Sequence, residues 1–277
     1  MTNTSPAVDQ ELGSTIKDAI LTNDCNAATL LDILAADTDI AALARHTPHG
    51  GGGLSLHMYA AFIGAERTLS RFISSLNGNT PIETNVIEAG FNGRNITMAL
   101  EDCQDIYLAL LSNKPDTFIA LRRAYESCDR HLPFNTATAR SASTMCFGNA
   151  NARLLTPLDV AMQFYVAQRV LEADAATANA YKLMMWPPTV SRNTAADVLE
   201  EKIYQLLQYG AVGARNAYFP TLKDSLRDPF YNADGFEVMS LTDFCNENAS
   251  YIPADLQAAL GRTCRQRGRK DSLTLRT

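Results

Sequence analysis

The stretch "TPLDVA" at residues 156–161 constrains this chain more than any other, because it spells out a helix start and because its pattern recurs. Thr156 suits the position just ahead of a helix, since its hydroxyl can accept from a first-turn N–H that has no partner within the helix. Pro157 suits the first helical position, where a missing N–H costs nothing and the ring already sets the required φ. Asp159, three residues after Thr156, can reach back to the cap and lies at the positive end of the helix dipole.

The pattern returns as "TAADVL" at 194–199, which aligns Thr194 with Thr156, Asp197 with Asp159 and Val198 with Val160. "RNITMAL" at 94–100 and "LSLHMYA" at 54–60 are looser copies, with Asn95 as cap in the first and His57 in the Asp place of the second. Apolar spacing predicts helices over 15–22, 26–36, 55–63, 66–76, 96–112, 117–129, 157–173, 194–209, 221–226, 240–247 and 253–262. Loops rich in Gly, Asn, Pro and Thr separate them, and strand-like alternation is scarce. The expected class is all-α with long loops.

These copies resemble ankyrin repeats, whose unit of about 33 residues carries a T-P-L-H start, two antiparallel helices and a Gly-containing exit. The matching segments are 52–74, 93–116, 154–174 and 193–213, with 19–37 similar to a first, capping repeat. The starts at 54, 94, 156 and 194 lie 40, 62 and 38 residues apart, all longer than the usual unit. Gly64 supplies a turn inside the first copy, whereas the copies at 156 and 194 read as one continuous helix each. The resemblance implies an α-solenoid of degenerate helix pairs over 15–220, with a non-repeat insertion at 117–153. Residues 221–262 are then a degenerate repeat or helical cap, 1–14 a disordered start and 263–277 a basic tail. Since one helix pair cannot bury its own apolar face, pairs stack, and recognition is left to loop tips and inner helix faces. The implied function is binding of a partner protein on the concave face, by a monomeric array without cofactor. Divergent arrays of this kind resemble those of effector proteins that intracellular bacteria deliver into host cells.

Charge is consistent with a protein partner. Residues 262–277 hold six basic residues and one acidic, so subtracting their +5 from the whole-chain −6 leaves −11 on residues 1–261. So acidic a body argues against nucleic acid, whose phosphates supply most of such affinity. No apolar run is long enough to span a bilayer, and the first fourteen residues lack the basic start and apolar middle of a secretory signal. Six scattered cysteines without a CxxC pair predict reduced, mostly buried thiols in a cytoplasmic compartment.

Candidate chemistry is sparse. His46, His49 and His57 crowd around a run of four glycines, yet flexible glycines oppose the rigid convergence a metal needs, and no Gly-Lys-Ser/Thr phosphate loop follows. The expectation is solvated loop histidines, with His57 at the repeat's capping position. A cysteine enzyme is the alternative, with Cys103, Cys128 or Cys146 as nucleophile and His131 as base in the 117–153 stretch. The acidic groups in "EDCQD" (101–105) and "LEEK" (199–202) read as solvated helix faces. The favoured site is the set of loop aromatics and arginines Phe91, Arg94, Phe147, Arg153, Trp186, Arg192, Arg215 and Tyr218, with Phe219 beside them, because such side chains anchor protein interfaces.

Overall fold

The computed structural model describes residues 10–48, 54–77, 87–91, 97–101, 104–137, 140–141, 154–173, 183–185, 195–214, 216–220 and 236–262. The fold is mostly helical, as the apolar spacing predicts. The chain divides into two compact units: residues 1–85, 102–132 and 186–191 form the first, and 86–101, 133–185 and 192–277 the second.

The first unit is built from helix pairs taken in sequence order. Helix α1 (Gln10–Thr22) packs on α2 (Asp24–Leu34), the turn between them being closed by Asn23, whose side chain accepts from Cys25 N and Asn26 N. A short α3 (Ile40–Arg45), which the apolar spacing does not announce, starts on Asp39 in the same manner. Helix α4 (Leu56–Ile63) pairs with α5 (Glu66–Ser75), and α6 (Asp105–Leu111) pairs with α7 (Thr117–Ser127). Across the pairs, α1 packs on α4 and α4 on α6, while α2 packs on α5 and α5 on α7. Two rows result, one of first helices and one of second helices.

Local chemistry explains each join. Ser55 caps α4 by accepting from Met58 N at 3.2 Å. Gly64 ends it with φ +80°, a conformation that favours glycine, and a Cβ there would lie a tight 3.1 Å from the Thr117 methyl. Helix α5 has no cap of its own; Asp24 of α2 supplies one, accepting from Arg67 N at 2.8 Å and Thr68 N at 2.9 Å. The α6–α7 turn is closed by the Thr117 hydroxyl, which donates to the Ala109 carbonyl at 2.5 Å.

Burial sets α4 and α6 apart from the other helices of this unit. Every residue of α4 and of α6 is buried, whereas α5 buries Thr68, Leu69, Phe72 and Ile73 and turns Arg67, Arg71 and Ser74 outward. Helices apolar all round belong in a core, and those with one apolar stripe belong at a surface. This corrects the expectation that inner helix faces stay open for recognition: α4 and α6 offer none.

In the second unit α8 (Pro157–Ala173) packs along α9 (Ala196–Gln208). Each is one unbroken helix, as expected for copies without an internal turn, so the starts at 156 and 194 give two helices of one pair and not two pairs. Residues 157–166 of α8 are all buried. Short strands accompany the pair: β1 (Ile87–Phe91), β2 (Thr97–Glu101), β3 (Arg140–Ser141) and β4 (Leu183–Met185) form an antiparallel sheet in the order β3-β2-β1-β4. Strands β5 (Ala217–Pro220) and β6 (Phe236–Met239) pair antiparallel, Ala217 opposite Met239 and Pro220 opposite Phe236. Helix α10 (Leu241–Glu247) and a helix over 254–262 follow. Phe219 of β5 stacks on Phe244 of α10 with ring centroids 4.6 Å apart, an aromatic contact that closes this end of the core.

The helix expected over 96–112 is corrected. Its first part is β2, whose Thr97 to Leu100 pair with Gly90 to Ile87, and α6 begins only at Asp105. Antiparallel pairing with β1, the strand just before it in the chain, outweighs a helix-start signal as weak as "RNITMAL". Residues 221–226, expected as helix, lie outside the described residues.

Candidate functional site

The "TPLD" signal forms the cap read from the sequence, and more besides. Asp159 Oδ2 accepts from Thr156 N and from the Thr156 hydroxyl, both at 2.8 Å, while Asp159 N donates to Thr156 Oγ1 at 3.2 Å. The same carboxylate accepts from Ala214 N at 3.0 Å, tying the exit of α9 to the head of α8. Asn135 holds that exit from another side, its Oδ1 accepting from Val212 N at 2.9 Å. Gly213 lies so close that a Cβ would stand 2.5 Å from Leu241 Cδ2 and 2.8 Å from Asp159 Oδ1. Burial raises the Asp159 pKa to about 6, against the lowering effect of the Thr156 and Ala214 bonds. A carboxylate whose bonds all go to a cap and a loop is a structural clamp.

The matching Asp197 does none of this. It is exposed, Ala195 caps α9 without a side-chain bond, and Asp197 instead accepts from Arg169 Nη2 at 2.8 Å. Arg169 also meets Glu172 at 2.9 Å and Glu200 at 3.3 Å, and donates through Nε to the Tyr165 hydroxyl at 3.3 Å. Tyr165 in turn donates to Glu200 at 2.9 Å. Burial works against the Arg169 charge, but its bonds to Tyr165, Glu172 and Glu200 hold its pKa above the ordinary value. Burial, with Glu200 assisting, pushes the Tyr165 hydroxyl up to about 12. In "LEEK" Glu201 is exposed, as expected of a solvated face, whereas Glu200 is half-buried and Lys202 fully buried.

The acidic group in "EDCQD" is likewise corrected. Asp105 is wholly buried and joins three helices of the first unit: its Oδ2 lies 2.9 Å from His57 Nε2 and accepts from the Tyr125 hydroxyl at 2.9 Å. His57 is therefore no loop histidine but a 0% exposed side chain of α4, and its Nδ1 is buried without a hydrogen-bond partner. An Asp–His pair resembles half of a hydrolytic relay, yet a relay needs a nucleophile on the far nitrogen. Among the described residues none stands there, and the trio is a buried bolt between α4, α6 and α7.

The cysteine alternative finds little support in its one described candidate. Cys128 is half-buried, with Sγ 3.2 Å from Ser74 Oγ and donating to the Ser70 carbonyl at 3.4 Å. Among the described residues no imidazole bonds to it, and His131 is exposed. Cys103 and Cys146 lie outside the described residues. Of the other described cysteines Cys245 is buried and Cys25 exposed, so the expectation of mostly buried thiols fails at Cys25. No group of His, Cys, Asp and Glu among the described residues could hold a metal ion. None of the described helices is long and apolar enough to cross a membrane.

Of the favoured interface residues, Phe91 ends β1 and Tyr218 sits within β5. Both belong to strands and not to the projecting loops expected. Arg94, Phe147, Arg153, Trp186, Arg192 and Arg215 lie outside the described residues. Phe219 is 0% exposed against Phe244 and is core. Sequence reasoning missed the Arg169 cluster, although the spacing of Tyr165, Arg169 and Glu172 along one helix face was a signal for it. It also missed Asp24, whose role as cap for another helix leaves no local trace. Compared with known proteins, the chain matches no family model, no curated protein and no solved structure.

Proposed function

We propose that this chain acts by binding another protein, with stacked helix pairs similar to ankyrin repeats as the rigid support. The observation that carries this reading is the two-row order of the first unit, α1, α4 and α6 in one row and α2, α5 and α7 in the other. An array of pairs that each contact only their neighbours is the general logic of repeat proteins, whose business is recognition. The polar clusters described above act as caps, clamps or bolts, and among the described residues no nucleophile stands beside the His57–Asp105 pair, which favours binding over catalysis. Because α4 and α6 are buried throughout, the proposed contact surface lies elsewhere, with Phe91 and Tyr218 at strands and Arg94, Phe147, Arg153, Trp186, Arg192 and Arg215 as its residues. Delivery into a host cell as an effector fits the same reading.

The test is affinity capture from cell lysate with three baits: wild type, Trp186→Ala/Arg192→Ala, and Arg67→Glu/Arg123→Glu on the outer row, each shown by circular dichroism to be folded. The loop variant is expected to lose a specific partner that wild type and the outer-row variant keep. A partner retained by the loop variant and lost by the outer-row variant moves the surface to α5 and α7. If no protein is enriched by wild type over a scrambled control, the binding reading fails.

A further inference from the structure

We draw no further inference here: the strongest candidate, the acidic face where Glu172, Asp197 and Glu200 gather round Arg169 on the α8–α9 pair, carries nothing, because its carboxylates are engaged within the cluster and nothing in the structure shows what covers it.

Discussion

Replacing Asp159 with Asn removes a charge from a fully buried carboxylate bridge in the second unit while keeping the side chain's shape. The wild-type group is held with a raised pKa, from 3.8 to about 6, because burial penalises the anion more than Thr156 and Ala214 favour it. The sign follows from linkage. A folded-state value above the unfolded one means the folded form binds the extra proton, so this group's stabilisation is complete below about pH 3.8 and lost as pH rises through about 6. At 1.36 kcal/mol per unit, the loss between about pH 4.5 and 7.5 comes to about 2 kcal/mol. Other carboxylates also titrate in this range, so the informative quantity is the difference between wild type and Asp159→Asn, measured by urea denaturation followed by circular dichroism at several pH values. Wild type is expected to lose about 2 kcal/mol relative to the variant as pH rises. Parallel curves, or wild type gaining on the variant, would refute the reasoning and show that the three donors overcome the burial of the charge.

Three further outcomes are expected. Tyr125→Phe should destabilise the first unit by about 1–2 kcal/mol, since it strips one bond from buried Asp105, and His57→Ala by more, about 3 kcal/mol, through a cavity and a poorly satisfied carboxylate; a double-mutant denaturation cycle that gives simple additivity would show the two do not share Asp105. Gly213→Ala should cost about 1–3 kcal/mol because its methyl would overlap Leu241 and Asp159, and an unchanged melting temperature would contradict that packing. Asn248 heads an Asn-Ala-Ser triplet but is 6% exposed and donates from Nδ2 to the Phe244 carbonyl at 2.9 Å, so the folded protein should take no glycan there, as intact-mass measurement after incubation with a glycosylating extract would show.

How much of this was legible depends on whether the determining partner lies nearby in sequence. The Thr156–Asp159 cap was readable because donor and acceptor are three residues apart and their chemistry is closed within one turn. Ser240 and Asp243 repeat that reciprocal box at α10, where the apolar spacing also finds the helix. Asp197, in the same sequence frame as Asp159, failed because its fate was decided by Arg169 on another helix. The same holds for Asp24, which caps a helix 43 residues away, and for Asp105, which reads as a surface acid until His57 and Tyr125 are brought to it. Strand β2 differs: its partner β1 lies just before it in the chain, yet "RNITMAL" reads as a helix start until Ile87 to Gly90 are paired with it.

The burial pattern bears on where recognition can occur. A helix such as α4, with Leu56 to Ile63 all hidden, carries His57 by pairing its Nε2 with the buried Asp105. Substituting polar contacts onto that row would therefore damage the core before it changed a binding surface. Helices α5 and α7, by contrast, bury one stripe and carry their charges outward: Arg71 engages Asp32 of α2 at 2.5 Å with both side chains about half exposed, and Arg122 engages Glu126 at 2.9 Å within α7. Such exposed pairs contribute about 0–1 kcal/mol each, so they can be exchanged without unfolding the array. Tolerance to change and access to solvent thus coincide on α5 and α7, while α4 and α6 are fixed by packing.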